Sequence, residues 1–230
     1  MREFSGPMPD RINALPRDVR GFPIPYFVAY LDGRPCFPVM DPDKMRHCMT
    51  HSRCWICGDR ITAFKTFVIG PMCCINRVSA EPPSHLECAR FAVRNCPFMA
   101  HPEAKRSKLD QSQFDKPGGV MIERNPGTTC LWTSKRFAIE MDHGKPLWRI
   151  GPAEHVEFYA RGRKASRAEV DHSVKTGLPL LQRVAAAEGA LPMLADQVEA
   201  FRTLLDAQGW PDPPDLPDID LRALYAEAGP

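Results

Sequence analysis

The chain has 230 residues, 43% of them hydrophobic and 25% charged, and a formal net charge of +2. That composition suits a soluble globular protein with a real core, in one domain or two small ones. It contains no apolar run of about eighteen residues to span a bilayer, and residues 1–7 lack the apolar stretch of a secretory signal. The chain is therefore expected in the cytoplasm, with no membrane partner. So small a net charge does not imply polyanion binding, which would have to rest on local basic patches.

Residues 1–20, rich in Pro, Arg and Asp, read as an arm. The first strand is expected over residues 25–30. Asp32-Gly33 then supplies the positive φ of a tight hairpin turn, and the chain returns over residues 35–40. Asp41 reads as the N-cap of a helix with Pro42 at its first position, ending near Ser52 and delivering the chain to Cys54.

Residues 62–69 alternate as a strand, Gly70-Pro71 breaks it, and residues 73–78 are expected to return as its hairpin partner. Ser84 with Glu87 forms the pattern of a capping box, so a helix is expected from His85 to about Asn95, closed by Pro97. Residues 101–128 are polar and broken by Pro and Gly, which predicts a linker or long loop.

Four short strands follow, over residues 129–133, 136–140, 147–150 and 155–159, with turns at Asp142-His143-Gly144 and Gly151-Pro152. Ser166 and Glu169 make a second capping box. The helix it opens should stop before Gly177, and Pro179 should open another through Glu188. Leu194, Val198, Phe201, Leu204 and Leu205 fall at helical spacing and read as a core stripe. The predicted organisation is an arm (1–20), a metal-binding α+β unit (21–100), a linker (101–128), a β-meander with helices (129–190), and a C-terminal helix with a Pro-rich tail (191–230).

Seven of the nine cysteines lie between Cys48 and Cys96. In a reducing compartment such clustering favours metal ligation over disulfides, and an odd count argues against a fully paired framework. Cys54 and Cys57 are separated by two residues, as are His85 and Cys88, and each such pair can bind one edge of a tetrahedral zinc ion with little strain. Cys54 and Cys57 would sit on a turn at Gly58, His85 and Cys88 on the first turn of a helix whose positive end favours a thiolate.

Cys96 is eight residues beyond Cys88, about 12 Å along a helix, too far to share the ion, and reads as core or as a ligand of a second site. Cys73 and Cys74, adjacent on a presumed strand, point to opposite faces, which leaves Cys73 as an alternative to His85. Cys36, Cys48 and Cys130 read as small hydrophobes, and His47 and His51, which lack a His-Glu-x-x-His context, as helix-surface residues.

The order knuckle, hairpin, helix resembles a treble-clef zinc finger over about residues 52–98. That likeness implies zinc and a fold element, without a particular activity. The HNH nucleases share it but need an Asp-His pair on the hairpin, and residues 67–72 carry no ionisable side chain. The runs Cys54-Trp55-Ile56-Cys57-Gly58, Phe67-Val68-Ile69-Gly70-Pro71-Met72-Cys73 and Glu81-Pro82-Pro83-Ser84-His85-Leu86-Glu87-Cys88 also resemble hypothetical proteins of bacteriophages and prophages. That resemblance implies a bacterial host cytoplasm.

Four protein ligands would close the zinc shell and leave no place for an activated water. The expected function is therefore non-enzymatic binding of a macromolecule, nucleic acid or host protein. Arg90, Arg94, Lys105, Arg106 and Lys108 are the candidate contacts, and a second basic run comprises Arg161, Arg163, Lys164 and Arg167. The alternatives are zinc that only stabilises a host-protein binder, or a metal-dependent nuclease or hydrolase with an open ligand position.

Overall fold

A computed structural model describes residues 2–100, 118–120 and 125–211. Lys105, Arg106, Lys108, most of the expected linker and the tail beyond Pro211 lie outside the described residues. The fold is α+β, with every strand pairing antiparallel. No helix of the described residues is long and apolar enough to cross a membrane.

Residues 2–20, expected as an arm, pack against the rest of the chain: a short helix α1 (Asp10–Asn13) buries Ile12. Strands β1 (Val28–Leu31) and β2 (Arg34–Met40) form the expected hairpin, with Asp32 and Gly33 both at positive φ. Helix α2 (Pro42–His51) starts where capping chemistry predicts, because the Asp41 carboxylate accepts the backbone N–H groups of Asp43 and Lys44.

Strand β3 (Lys65–Ile69) follows, and here the structure departs from the expected hairpin. Residues 71–76 form a helix, α3 (Pro71–Asn76), with Gly70 as N-cap and Pro71 in its first turn. Proline pre-sets the helical φ there, and Pro71, Met72, Cys74 and Ile75 are buried at helical rather than alternating spacing. Only Val78–Ser79 remains as a strand, β4. Helix α4 (Leu86–Asn95) has His85 as its N-cap, so the Ser84 capping box does not form. Instead Ser84 exchanges two backbone hydrogen bonds with Thr66 of β3, at 2.9 and 2.7 Å. A short helix, α5 (Pro97–Ala100), ends this part of the chain.

The later strands are β5 (Thr129–Ser134), β6 (Phe137–Asp142), β7 (Lys145–Ile150), β8 (His155–Ala160) and β9 (Arg163–Lys164). They do not make a simple meander. β5 and β8 join β3 in a four-stranded sheet ordered β3-β5-β8-β9, while the β6–β7 hairpin pairs with β4 in a three-stranded sheet. Each strand of the interrupted hairpin, β3 and β4, thus finds its partner more than fifty residues away. The expected metal unit and the expected β unit consequently share both sheets.

Two last helices complete the fold, α6 (Arg167–Ala187) and α7 (Leu191–Asp206). The Ser166–Glu169 capping box is present. The expected break at Gly177 is not: α6 runs through both Gly177 and Pro179. An interior proline costs a helix about 3 kcal/mol, so packing must outweigh it, and α6 buries Val170, Gly177, Leu181 and Ala185.

The four-stranded sheet is covered on both faces. Phe67, Ile69, Cys130, Trp132, Val156 and Phe158 point into the main core with Ile75, Leu181, Phe201 and Leu205. The alternate residues Val68, Leu131 and Tyr159 face Ala89 and Val93 of α4. Leu194, Phe201 and Leu205 of the predicted stripe are buried, so that face of α7 is core.

Candidate metal centre

The four side chains converge because two backbone devices meet. The first is a tight loop: the N–H of Cys54 donates to the carbonyl of Asp59 (2.7 Å) and that of Gly58 to the carbonyl of Cys54 (2.8 Å). Gly58 has φ +81°, and a Cβ there would stand 2.7 Å from the ring of Tyr26, so only glycine closes this loop without displacement. The second device is the start of α4, held to β3 through Ser84 and to the loop through the Trp55 N–H, which donates to the carbonyl of Pro83 (3.1 Å).

One donor atom from each of Cys54, Cys57, His85 and Cys88 lies within 4.8 Å of all the others, the arrangement of a metal site. His85 Nδ1 is 3.4 Å from Cys57 Sγ and 3.9 Å from Cys88 Sγ. A tetrahedral zinc with ordinary Zn–S and Zn–N bonds would separate S and N donors by about 3.6 Å. On its other side, His85 Nε2 is 3.1 Å from the carbonyl oxygen of Arg60, to which an Nε2–H donates. With a metal ion bound, a proton kept on Nε2 for this carbonyl would free Nδ1, on the side of the cysteines, to ligate, the outer support common to metal-ligating histidines. The backbone N–H groups of Cys57 and His85 both donate to Cys54 Sγ at 3.4 Å.

Electrostatics also favours a cation among these groups. Burial pushes the Cys54 thiol up, but hydrogen bonds with Cys57, Cys88 and His85 outweigh it and hold Cys54 well below the usual thiol range. Cys88 is driven far up, first by its hydrogen bonds to Cys54 and Cys57 and then by burial. Hydrogen bonds to Cys54 and then Cys57 raise His85 to about 10. The thiolate is thus favoured at Cys54 and disfavoured at Cys88, since adjacent negative charges repel. A metal cation in their midst would let all three thiols ionise.

The surroundings are largely apolar and partly cationic. Ile12, Ile56, Ile61 and Phe91 pack with the three cysteines, joined by Phe4, Met8 and Leu15 from the N-terminal stretch. Arg11 Nη1 lies 2.9 Å from His85 Nε2 and 3.2 Å from Nδ1, and its Nε pairs with Glu87 at 2.9 Å. A divalent ion with three thiolates and a neutral imidazole carries a net charge of −1, which the Arg11 guanidinium is placed to offset. The sequence offered no sign of this residue, because only folding of the N-terminal stretch brings it here.

The other candidates stand elsewhere. Cys73 is on α3 against the main core, and burial pushes it up to about 11. Cys48 is buried and pushed up to about 12, chiefly by burial. Cys96, the C-cap of α4, is also raised by burial. His47 Nδ1 is 2.7 Å from the Tyr26 hydroxyl and His51 Nδ1 is 2.7 Å from that of Thr50, so both rings are used locally.

Of the basic candidates, Arg90 is hydrogen-bonded through Nε and Nη2 to the Glu157 carboxylate. Arg94 lies with its guanidinium carbon 5.7 Å from the centre of the Tyr159 ring. A groove of about 420 Å³ lies among α3, α6 and α7, lined by Ile75, Arg167, Lys175, Phe201 and Asp206 among others, and by none of the four clustered residues. Comparisons with protein-family models, curated proteins and solved structures find no match.

Proposed function

We propose that this is a non-enzymatic, structural-zinc protein that acts by binding a macromolecule. The observation that carries the reading is the set of four protein donors within 4.8 Å of one another, three of them buried thiols. Three sulfurs and one imidazole form a donor set that suits zinc, and four protein ligands complete its usual tetrahedral shell. With no position left for water, the ion's work is to tie the loop at Cys54, the start of α4 and the packed N-terminal stretch into one unit.

The knuckle and the helix N-terminus correspond to two of the three parts of a treble clef, and we read the site as a relative of that motif whose hairpin has been opened by α3. The likeness of the Cys54–Gly58 and Glu81–Cys88 runs to phage and prophage proteins supports a protein working in a bacterial host, on nucleic acid or on a host protein.

Metal analysis with X-ray absorption on the purified chain tests the metal reading. The expected result is one zinc per chain with three sulfur neighbours at about 2.3 Å and one nitrogen at about 2.0 Å. Substoichiometric zinc after purification without chelator, or a shell containing solvent oxygen, would overturn it.

A further inference from the structure

Two basic runs that are about seventy residues apart in sequence meet on one face of the fold. Arg90 and Arg94, four apart on α4, share a flank of the helix from which Arg90 reaches Glu157 and Arg94 reaches Tyr159 of β8. Lys164 pairs directly with Tyr159 across β8 and β9, which directs its side chain to the same side of the sheet as Glu157 and Tyr159. Arg163, one residue earlier, points the other way and is spent on Glu169, with its two contacts at 2.9 and 2.8 Å.

Glu157 organises the face from beneath. Its side chain is only 4% exposed, while those of Arg90 and Lys164 are 41% and 48% exposed. The carboxylate accepts from Arg90 Nε at 3.0 Å, Lys164 Nζ at 2.7 Å, the Tyr159 hydroxyl at 2.8 Å and His155 Nε2 at 2.8 Å. The acid is inside and the cations are outside. Arg94 and Lys164 both lie over the Tyr159 ring, 5.7 and 4.7 Å from its centre.

The β8–β9 turn adds a fourth cation. Arg161 and Gly162 both have positive φ, the two-residue turn that suits a twisted hairpin. A Cβ on Gly162 would stand 3.0 Å from the carbonyl oxygen of Arg94, so glycine lets the turn sit directly on the end of α4. The turn that carries exposed Arg161 therefore lies against the part of α4 that carries Arg94. Of Arg90, Arg94, Arg161 and Lys164, only Arg90 and Lys164 bond the buried carboxylate, so the four cations outnumber it on this face of a chain of net charge +2.

We propose that this face, Arg90, Arg94, Arg161 and Lys164 over Glu157, binds the phosphodiester backbone of nucleic acid. The proposal rests on the reading of a macromolecule-binding protein and narrows its partner. A protein partner would need an apolar anchor at the centre of the face, and the aromatic residue there, Tyr159, is buried. Phosphates need only cations held at fixed positions, and Arg90 and Lys164, held from beneath by Glu157, stay partly exposed to a ligand. Lys105, Arg106 and Lys108 lie outside the described residues, and the face is built without them.

The test uses full-length, zinc-loaded protein and fluorescence anisotropy with labelled duplex DNA, single-stranded DNA and RNA of one sequence. Each phosphate contact contributes a slope of about −0.9 in log K against log salt on duplex DNA. Four contacts predict a roughly hundredfold loss of affinity between about 50 and 200 mM salt, and two predict roughly tenfold. The double substitution R94Q/R161Q, which leaves the Glu157 bonds intact, should show the shallower dependence and weaker binding at low salt. R149Q, which removes an exposed cation paired with Glu140 on the other sheet, should bind as the parent does.

Equal affinities for R94Q/R161Q and the parent, or affinity indifferent to salt, would overturn the proposal. So would failure to bind any of the three nucleic acids at low salt. Zinc content and melting temperature, read on the same samples, judge the structural-zinc reading separately.

Discussion

The carbonyl oxygen of Arg60 lies 3.1 Å from Nε2 of His85, on the side of the ring opposite the cysteines. Because a backbone carbonyl can only accept, this contact favours a proton on Nε2, and a bound metal ion would then take the Nδ1 lone pair beside Cys57 and Cys88. The loop that carries Cys54 and Cys57 therefore also holds the His85 ring, which belongs to the chain segment before α4.

Removing a ligand should separate the four clustered residues from the other cysteines. C88S and H85A are expected to lose the stoichiometric metal and, with it, stabilisation on the order of 10 kcal/mol. The melting temperature of the parent in excess chelator should match theirs. C73A and C96A, remote from the cluster, should retain full metal content, and loss of zinc in C73A would instead identify Cys73 as a ligand.

Gly58 is constrained twice, by its φ of +81° and by the Tyr26 ring 2.7 Å from where a Cβ would stand. G58A should cost about 2–3 kcal/mol in urea unfolding, about 1 kcal/mol of it from backbone strain. In a Y26A background the steric part disappears. The same substitution should then cost only the backbone share, and equal costs in both backgrounds would contradict the packing described.

Glu157 links the acid stability of the protein to the face on α4. Burial raises its carboxyl, but hydrogen bonds from Arg90, then Lys164, His155 and Tyr159 outweigh this and hold it well below the usual carboxylate range. A carboxyl lowered in the folded state adds stability that is fully present above its ordinary value of 4.5 and is lost as pH falls below it. E157Q should therefore cost about 2 kcal/mol at neutral pH, a figure reduced because Arg90 and Lys164 are partly exposed. Its stability should fall less steeply than the parent's between about pH 5 and pH 3, and parallel curves from chemical denaturation would refute the assignment.

Pro179 lies inside α6 on an exposed position and leaves one turn of the helix without its hydrogen bond. P179A should stabilise the protein by about 1–3 kcal/mol, the helix gain less the stiffness proline gives the unfolded chain. A destabilising result would mean that the proline ring itself contributes packing in the groove beside α7.

Local chemistry made much of this readable in advance. Asp41-Pro42 starts α2, Asp32-Gly33 turns β1 into β2, Ser166 and Glu169 cap α6, and the stripe from Leu194 to Leu205 is core, each within a few residues of expectation. Two of the misread elements, α3 and the middle of α6, are those where local signals competed. Gly70-Pro71 reads equally as a strand break or a helix start, and α3 prevails because Met72, Cys74 and Ile75 fill the core under α6 and α7. Pro179 should end a helix by itself, yet packing on both sides of it outweighs the lost bond.

The sequence alone determined the two donor pairs, because the separation of Cys54 from Cys57 and of His85 from Cys88 is a covalent property that no packing alters. Tertiary structure decided what surrounds them. The closing of the N-terminal stretch over the cluster, the placement of Arg11 against His85, the pairing of β3 with β5, and the meeting of Arg90 with Lys164 all join residues far apart in the chain. Such contacts depend on which buried surfaces match once loops have closed, and neither spacing nor periodicity encodes that choice.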